Sequence, residues 1–319
     1  MKHRVLLSAA GLCIAVHSCT ELPLPDGNGT VEIILRSPSA GTDTKSEDPS
    51  TDGITDANVF VFNREEELES STYLSPGQFR YKDGEAALLI RTFRTYPLTI
   101  AVCANFGGRI TGITTLDDLK NKKMYLAYPD EYRGGIPMSG LLENATPDTL
   151  GRLTVRLVRL MGRAGVRIDR SALDAGISVN ASSLTAVNSP RSASAFSPSS
   201  ILNIPEAFTT GFMKSGAGIM PLNTDERPGL SHEVWIYALE NLHGDSPSVR
   251  SGCTYLELKL DYFSSGKVSA PGKYLIFRRF IGNGEDNCDL RRGYSYHYVL
   301  KLSPDGLTAE GWEADTSQL

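Results

Sequence analysis

The chain has 319 residues, of which 32 are Lys or Arg and 37 are Asp or Glu, giving a net charge of −5 at pH 7. No basic tract stands out, which excludes the charge pattern of a nucleic-acid-binding protein. Beyond residue 19, no stretch approaches the roughly 18 apolar residues of a membrane-spanning helix. About 300 residues then remain, a length that favours two domains over one.

The first eighteen residues have the pattern of a bacterial secretion signal. Two basic residues precede a run of apolar and small residues over 5–16, which is shorter than the ~20 residues that span a bilayer. The run ends in VHSC (16–19), which resembles the lipobox of bacterial lipoproteins. That resemblance implies cleavage before Cys19 and a lipid on its sulfur. We therefore predict a signal peptide over 1–18 and a tether over 19–30, with lipid-free cleavage nearby as the alternative.

Short apolar or alternating segments, separated by Gly, Pro, Asp and Ser, follow along the chain. Their length and spacing are typical of β-strands joined by turns. In chain order they are VEIILRS (31–37), NVFVFN (58–63), AALLIRTF (86–93), PLTIAVCAN (97–105), LTVRLVRL (153–160), AGVRIDR (164–170), ISVNASSLTAV (177–187), EVWIYALEN (233–241), TYLELKLDYF (254–263), KYLIFRRF (273–280) and YSYHYVLKLS (294–303). Helix signals are limited to TTLDDLKNKKMYLA (114–127). We therefore predict an all-β chain of antiparallel β-sandwiches with one short helix in the first domain.

A Ser- and Pro-rich segment, NSPRSASAFSPSSILNIP (188–205), separates the strand-like segments into two groups. It lacks apolar periodicity, which is typical of a connection between domains. We therefore predict an N-terminal β-sandwich over 31–190 and a C-terminal one over 191–319, which starts with this linker. The polar segment 37–53 is predicted to be an exposed loop.

The residue patterns of catalysis, metal binding and cofactor binding are absent from the sequence. The three histidines beyond the leader lack metal-ligand spacing, and no nucleophile elbow, P-loop or dinucleotide fingerprint occurs. Cys103 lies in an apolar run, which raises a thiol pKa instead of activating the sulfur. We therefore expect a protein that is not an enzyme and that needs no cofactor or metal.

Three cysteines, Cys103, Cys253 and Cys288, remain beyond the leader and the expected lipid site. An odd number leaves at least one free thiol even when an exported chain forms disulfides. Cys103 fits a small buried apolar residue. Cys253 and Cys288 lie in polar segments and are the candidate disulfide pair, although the sequence leaves their separation in space open.

Aromatic residues alternate along two of the strand segments. Trp235 and Tyr237 form one set, and Tyr294, Tyr296 and Tyr298 form the other. Packing inside a sandwich accounts for both sets, because aromatic residues favour strands. A sugar-binding platform on an exposed sheet face is the second interpretation, and the solvent exposure of the rings discriminates between the two.

Three segments, in this order, carry a resemblance to a known family: IPMSG (136–140), LTVRLVRLMGRAGVRID (153–169) and RRGYSYHYVLKLS (291–303). Together with the lipobox-like segment, they resemble the fimbrillin superfamily of Bacteroidales, and especially its fimbrial anchor (FimB/Mfa-like) lipoproteins. The resemblance implies two tandem transthyretin-like (Ig-like) β-sandwiches. It also implies export to the outer membrane as an acylated lipoprotein and participation in a type V fimbria, or pilus.

The resemblance further implies a mode of assembly by β-strand addition. In shaft subunits of the family, a protease cuts after an Arg near the first strand, and the open groove accepts a donor strand from the next subunit. Arg36, at the end of VEIILR (31–36), is the corresponding candidate cut site. An anchor is instead expected to keep its lipid and its first strand. The C-terminal segment 306–319 alternates apolar residues only weakly for a donor, so we expect an ordinary strand ending near Trp312.

The expected function is that of a surface-exposed outer-membrane lipoprotein, anchor or minor subunit of a type V-like fimbria, that engages pilin subunits by strand addition. A surface lipoprotein that binds glycans through its β-sandwich domains is the alternative.

Overall fold

In the computed structural model, the described residues are 28–37, 53–75, 77–82, 85–93, 97–201, 206–208, 211–223, 226–245, 250–264, 267–268, 274–283 and 287–318. Strands dominate these residues, which confirms the predicted all-β class. The signal peptide 1–18, Cys19 and most of the predicted tether lie outside them. No helix among the described residues has the length and apolar character needed to cross a bilayer.

The strands fall into two groups along the chain. The first ten are β1 (Asn28–Arg36), β2 (Ala57–Phe62), β3 (Leu68–Leu74), β4 (Arg80–Lys82), β5 (Glu85–Phe93), β6 (Leu98–Ala104), β7 (Lys123–Tyr125), β8 (Met138–Ala145), β9 (Arg152–Arg156) and β10 (Val158–Arg159). The others are β11 (Met161–Asp169), β12 (Ile177–Val187), β13 (Ser189–Pro190), β14 (Ser192–Ser194), β15 (Ala207–Phe208), β16 (Met213–Ser215), β17 (Val234–Leu239), β18 (Tyr255–Ser264), β19 (Lys267–Val268), β20 (Tyr274–Phe280), β21 (Tyr294–Leu302) and β22 (Ala309–Gln318). Helix α1 (Leu116–Lys120) and a 3-10 helix (Glu131–Gly134) lie between β6 and β8.

Strand β18 illustrates how the sequence produces these elements. Leu256, Leu258 and Leu260 are fully buried, whereas the alternating Glu257 and Lys259 are partly exposed. A period of two places one face of a strand on the core and the other in water. Each buried leucine stabilises the fold by about 1.5–3 kcal/mol relative to an exposed one, so the alternation fixes the strand's orientation.

The predicted helix is present, but it is shorter than the segment 114–127 in which it was predicted. Thr115 caps α1 by accepting a hydrogen bond from the Asp118 amide, and the Asp118 carboxylate accepts one from the Thr115 amide, which forms a capping box. The helix ends at Lys120, with Asn121 as its C-cap, and Lys123–Tyr125 form β7, which pairs with β14. Part of the predicted helical segment 114–127 is therefore extended, because it pairs with a strand from elsewhere in the chain.

Apart from β7, which pairs with β14, the first group of strands forms two sheets, with strand orders β4-β5-β1-β9 and β10-β8-β6-β2-β3. Neighbours are antiparallel except β1 and β9, which run parallel. Both sheets contribute to one apolar core, with Ile33 and Leu35 from β1, Leu153 from β9, and Val59 and Ile100 from the other sheet. We call these two packed sheets the first sandwich.

Apart from β13, β14 and β15, the second group forms the sheets β17-β11-β21-β22 and β16-β12-β18-β19, and β20 also pairs with β18. Here β11 and β21 are the parallel pair. The larger apolar core between these sheets contains Val166, Leu184, Leu258 and Tyr298. We call these sheets the second sandwich.

The change from one sandwich to the other differs from the predicted boundary after residue 190. Strands β11 and β12, which cover 161–187, pair with strands of the second sandwich. The change therefore occurs between Arg159 and Met161. The run LTVRLVRLM (153–161) contains no Gly or Pro at this point, so its composition gives no sign that the chain leaves one sheet and enters another.

The Ser- and Pro-rich segment is packed, in contrast to the predicted loose linker. Ser189, Ser192 and Ala193 are buried. Strand β14 pairs with β7, and β13 pairs with β15. The small side chains of this segment let its backbone approach neighbouring strands closely. Pairing with those strands satisfies the amides and carbonyls of that backbone. The described part of the segment, 188–201, thus joins the two sandwiches through ordered contacts.

A buried ion pair holds this segment in place. Arg292 lies 2.7 Å from the Glu240 carboxylate, and the two side chains are 16% and 5% exposed. The same guanidinium donates to the carbonyls of Ser194 and Ala195 at 3.1 and 3.2 Å. The Ala195 carbonyl also accepts from the Ser139 hydroxyl of β8, so the hydrogen bonds run from the second sandwich to the first.

Replacing Arg292 by alanine is expected to lower the free energy of unfolding by about 3 kcal/mol. The loss follows because Glu240 would remain buried without its partner. Arg278→Ala is the matched control, since Arg278 pairs with Glu257 but is 61% exposed, and exposed pairs contribute less than about 1 kcal/mol. Urea denaturation compares the two variants, and equal losses would contradict the assigned role of Arg292.

Candidate functional site

The strand that precedes the candidate cut site lies in the middle of its sheet. Strand β1 pairs with β5 on one side and with β9 on the other. Its first residue is Asn28, so the predicted tether over 19–30 overlaps the strand by three residues. Eight residues are left between Cys19 and Asn28, a length that reaches at most about 30 Å.

The side chains of β1 alternate between the core and the outer face. Val31, Ile33 and Leu35 are 2%, 0% and 0% exposed, and Glu32 and Ile34 are partly exposed. The three apolar side chains belong to the core of the first sandwich. Loss of β1 would therefore remove three buried side chains from that core.

Polar contacts fix the register of β1 against β9. The Glu32 carboxylate lies 2.7 Å from the Arg152 guanidinium, and the Glu32 amide donates to the Gly151 carbonyl at 3.0 Å. At the other end, the Arg36 carbonyl accepts from the Leu157 amide at 2.9 Å. The parallel neighbour was missed by the sequence reasoning, because parallel pairing joins segments more than a hundred residues apart and leaves no turn signal between them.

Removal of β1 would create an acceptor for another strand. Strands β5 and β9 both pair with β1 and not with each other in the described sheet. Without β1, the inward edges of both would expose unpaired amides and carbonyls above an open apolar groove. Such edges bind an extended segment through main-chain hydrogen bonds, with alternate side chains filling the groove. With β1 in place, the groove is closed.

The candidate cut site lies at the end of this strand. Arg36 is exposed and is the last residue of β1, where it is paired with Arg156. Its carbonyl belongs to the peptide bond that a protease would cut, and that carbonyl is hydrogen-bonded to Leu157. Cleavage therefore requires the end of β1 to open locally from β9.

The last strand lies at the edge of the second sandwich. Strand β22 pairs along its whole length with β21, from Ala309 to Gln318, so it runs six residues past Trp312, where we expected the strand to end. Its side chains are exposed except for three that are partly buried, and Trp312 packs edge-on against Tyr298 at 6.4 Å. An edge strand can be polar because its main-chain hydrogen bonds do not depend on side-chain alternation.

The aromatic rings proposed as a sugar platform are mainly buried. Tyr296 and Tyr298 are each 1% exposed, and their hydroxyls donate to the carbonyls of Asp289 and Gly282. Burial raises the pKa of Tyr298 to about 12. Tyr237 is covered by Tyr132, whose ring lies 5.2 Å away. These three residues are core residues of the second sandwich.

Trp235 and Tyr294 are the platform residues that are partly exposed, and both pack against the core of the second sandwich. The Arg163 guanidinium lies 4.3 Å from the centre of the Trp235 ring, and His297 packs edge-on against that ring at 5.0 Å. His297 also lies 2.9 Å from the Glu233 carboxylate. Because Arg163 and His297 contact the Trp235 ring, this ring does not offer an open surface on which a sugar could stack.

The cysteines are buried in both sandwiches. Cys103 packs beside Phe60 and Leu119 in a small apolar cluster, and burial raises the pKa of its thiol. This environment keeps the sulfur protonated and unreactive. Cys253 and Cys288 are each 0% exposed. Within the described residues, no group of three or more His, Cys, Asp or Glu side chains could hold a metal ion.

Comparison with known proteins gives matches of fold. No protein-family model and no curated protein matches the chain. A solved structure from Bacteroides eggerthii, described as a candidate cell adhesion protein, shares 16% identity, covers 92% of this chain and 96% of its own, and has a TM-score of 0.57. The tip fimbrial protein Mfa3 of Porphyromonas gingivalis shares 12% identity over 90% and 98% of the two chains, with a TM-score of 0.55.

The fimbrilin FimA of Porphyromonas gingivalis gives a third match, with 14% identity over 88% of this chain and 91% of its own and a TM-score of 0.55. At such identities the likeness is one of fold. The predicted resemblance to fimbrial proteins of Bacteroidales is confirmed at that level. The proteins that share the fold are described as fimbrial and adhesion proteins and not as enzymes.

Proposed function

We propose that this chain is a component of a type V-like fimbria, held at the outer membrane of its bacterium as an anchor or minor subunit. The observation that carries the proposal is the fold it shares, over about nine-tenths of the chain, with FimA and the tip protein Mfa3. Both sandwiches take part in that likeness because the matches cover 88–90% of the chain. We infer that they are tandem transthyretin-like domains, divided near residue 160.

The lipid is the second part of the proposal. We infer that Cys19, outside the described residues, is acylated and becomes the first residue after cleavage. Two or more acyl chains anchor a protein stably, whereas one does not. With at most about 30 Å between Cys19 and β1, the first sandwich would lie close to the membrane surface, at the base of an assembly.

The third part is that β1 stays in the protein. Its buried side chains and its pairing on both edges support retention, since losing it would expose the core of the first sandwich. The engaged Arg36 carbonyl also opposes cleavage. A subunit with β1 in place cannot accept a donor strand in that groove, so it would end a chain of subunits instead of extending it.

The partners would be pilin subunits, engaged by strand addition. Strand β22 is the candidate segment for this contact, because it pairs on one edge only and contributes few buried side chains. Displacing it would cost the hydrogen bonds with β21 but would leave the core strands in place. The glycan-binding alternative is not favoured, since Tyr237, Tyr296 and Tyr298 are buried.

Deletion of the gene in the native bacterium tests the proposal. Cell-attached fimbriae are expected to fall, and fimbriae released into the medium to rise, with both restored by the full-length chain. The chain itself is expected in the outer-membrane fraction and at the ends of sheared fimbriae. Unchanged fimbrial attachment, together with absence of the chain from sheared fimbriae, would contradict it.

A further inference from the structure

Two cysteines of the second sandwich are brought together by segments that are far apart in the chain. Cys253 lies in the turn before β18, and Cys288 lies in the segment before β21. Strand β18 belongs to one sheet of the sandwich and β21 to the other. A link between the two residues would therefore join the two sheets at one end of the sandwich.

Asn241 fixes both segments at this position. Its amide and carbonyl exchange hydrogen bonds with Leu290 at 2.8 and 3.0 Å. Its side-chain amide donates to the Gly252 carbonyl at 2.9 Å and to the Thr254 hydroxyl at 3.0 Å. The residues on either side of Cys253, and a residue two positions from Cys288, thus contact one asparagine that is itself fully buried.

The two thiols lie close to each other in this buried setting. Both are free thiols in the structure and 0% exposed, and the hydrogen bonds of Asn241 hold their two segments against each other. Burial, with a contribution from the neighbouring Cys288, raises the pKa of the Cys253 thiol. Once the region has folded, neither thiol is accessible to an oxidant, so any oxidation takes place while the chain folds.

We propose that Cys253 and Cys288 form a disulfide bond in the exported protein, leaving Cys103 as a free thiol in the first sandwich. This proposal rests on the proposed function in one respect: export would take the folding chain into an oxidising compartment, where disulfides form. It would close a loop that contains β18, β19 and β20. It would also hold the start of β18 against the segment that leads into β21.

The reaction is a thiol–disulfide exchange with a protein or glutathione disulfide as the oxidant. The Cys253 thiolate attacks one sulfur of that disulfide, forms a mixed disulfide and releases the other sulfur as a thiolate. The Cys288 thiolate then attacks the Cys253 sulfur and releases the second. Two protein thiols are oxidised to one disulfide, the oxidant is reduced to two thiols, and the two protons pass from the cysteines to those thiols.

Refolding tests the disulfide independently of where the protein is located. The full chain is denatured, reduced and refolded in a mixture of reduced and oxidised glutathione, then denatured again without reductant, alkylated and cut with trypsin. Cleavage after Arg250, Lys259, Arg279 and Arg291 leaves Cys253 and Cys288 on separate short peptides. We expect those two peptides to be joined until reductant is added and Cys103 to be alkylated from the start. Alkylation of both Cys253 and Cys288 without reductant would overturn the proposal.

Variants and the native protein complete the test. Cys253→Ser is expected to free Cys288 for alkylation and to lower Tm by roughly 5–15 °C, from the loop-closure effect on a sandwich of this size. Cys103→Ser is the control that leaves the joined peptides unchanged. In chain isolated from outer membranes, joined peptides support the proposal and two free thiols overturn it. If the protein is recovered only from the cytoplasm, that result contradicts the proposed function. The refolding experiment would still show whether Cys253 and Cys288 can form a disulfide.

Discussion

Replacing Ile33 by aspartate is expected to unfold the first sandwich. Ile33 is 0% exposed and lies in the core between the two sheets. Removing a buried isoleucine side chain costs about 2–5 kcal/mol, and a buried carboxylate without a partner adds several more. The sum is comparable with the whole stability of a typical domain, about 5–15 kcal/mol.

Ile34→Asp is the matched control, because Ile34 is the neighbouring residue on the partly exposed face of the same strand. We expect it to cost less than about 1 kcal/mol. Far-UV circular dichroism in urea is the suitable measurement, since both tryptophans of the chain, Trp235 and Trp312, belong to the second sandwich. Equal stability of the two variants would show that β1 is not a core strand.

Replacing Cys19 by serine is expected to abolish membrane attachment. Serine cannot form the thioether through which the lipid would be held, and no helix among the described residues could replace the anchor. The protein should then move almost entirely from the outer-membrane fraction to the soluble exported fraction or remain uncleaved. Loss of the acyl chains removes about 0.8 kcal/mol of membrane binding for each buried methylene.

Cys13→Ser is the control for this experiment, since Cys13 lies within the apolar part of the predicted signal peptide and is not the expected lipid site. It should leave membrane attachment unchanged. Fractionation with immunoblotting, combined with labelling by a radioactive or clickable fatty acid, measures both variants. Retention of Cys19→Ser in the membrane, with label still attached, would contradict lipidation at this residue.

Strands with a clear local pattern of apolar residues were well predicted, whereas β3 and β8 were not among the predicted segments. Strand β12 has the predicted bounds of 177–187, and β18 differs from its prediction by one residue at each end. In both cases alternation of apolar and polar residues suffices to identify a strand with one buried face. The capping pattern of Thr115 and Asp118 likewise identified the helix, although pairing of β7 shortened it.

Features that depend on distant contacts were not predicted. The chain passes between sandwiches near Leu160 without a break in its strand-forming sequence, because sheet membership is decided by partners elsewhere in the chain. The buried contacts of Ser192 and of Arg292 with Glu240 were missed for the same reason. The closed groove at β1 was likewise visible only once its parallel partner β9 was known.

The first residue of the native protein tests the central claim most directly, which is that the chain stays lipid-anchored with β1 in place. Intact-mass and peptide mass spectrometry of the chain isolated from its bacterium should find acylated Cys19 as the first residue, continuous with β1. An N-terminus at Ser37, without lipid, would contradict the account. It would identify a subunit whose groove has been opened to receive a donor strand.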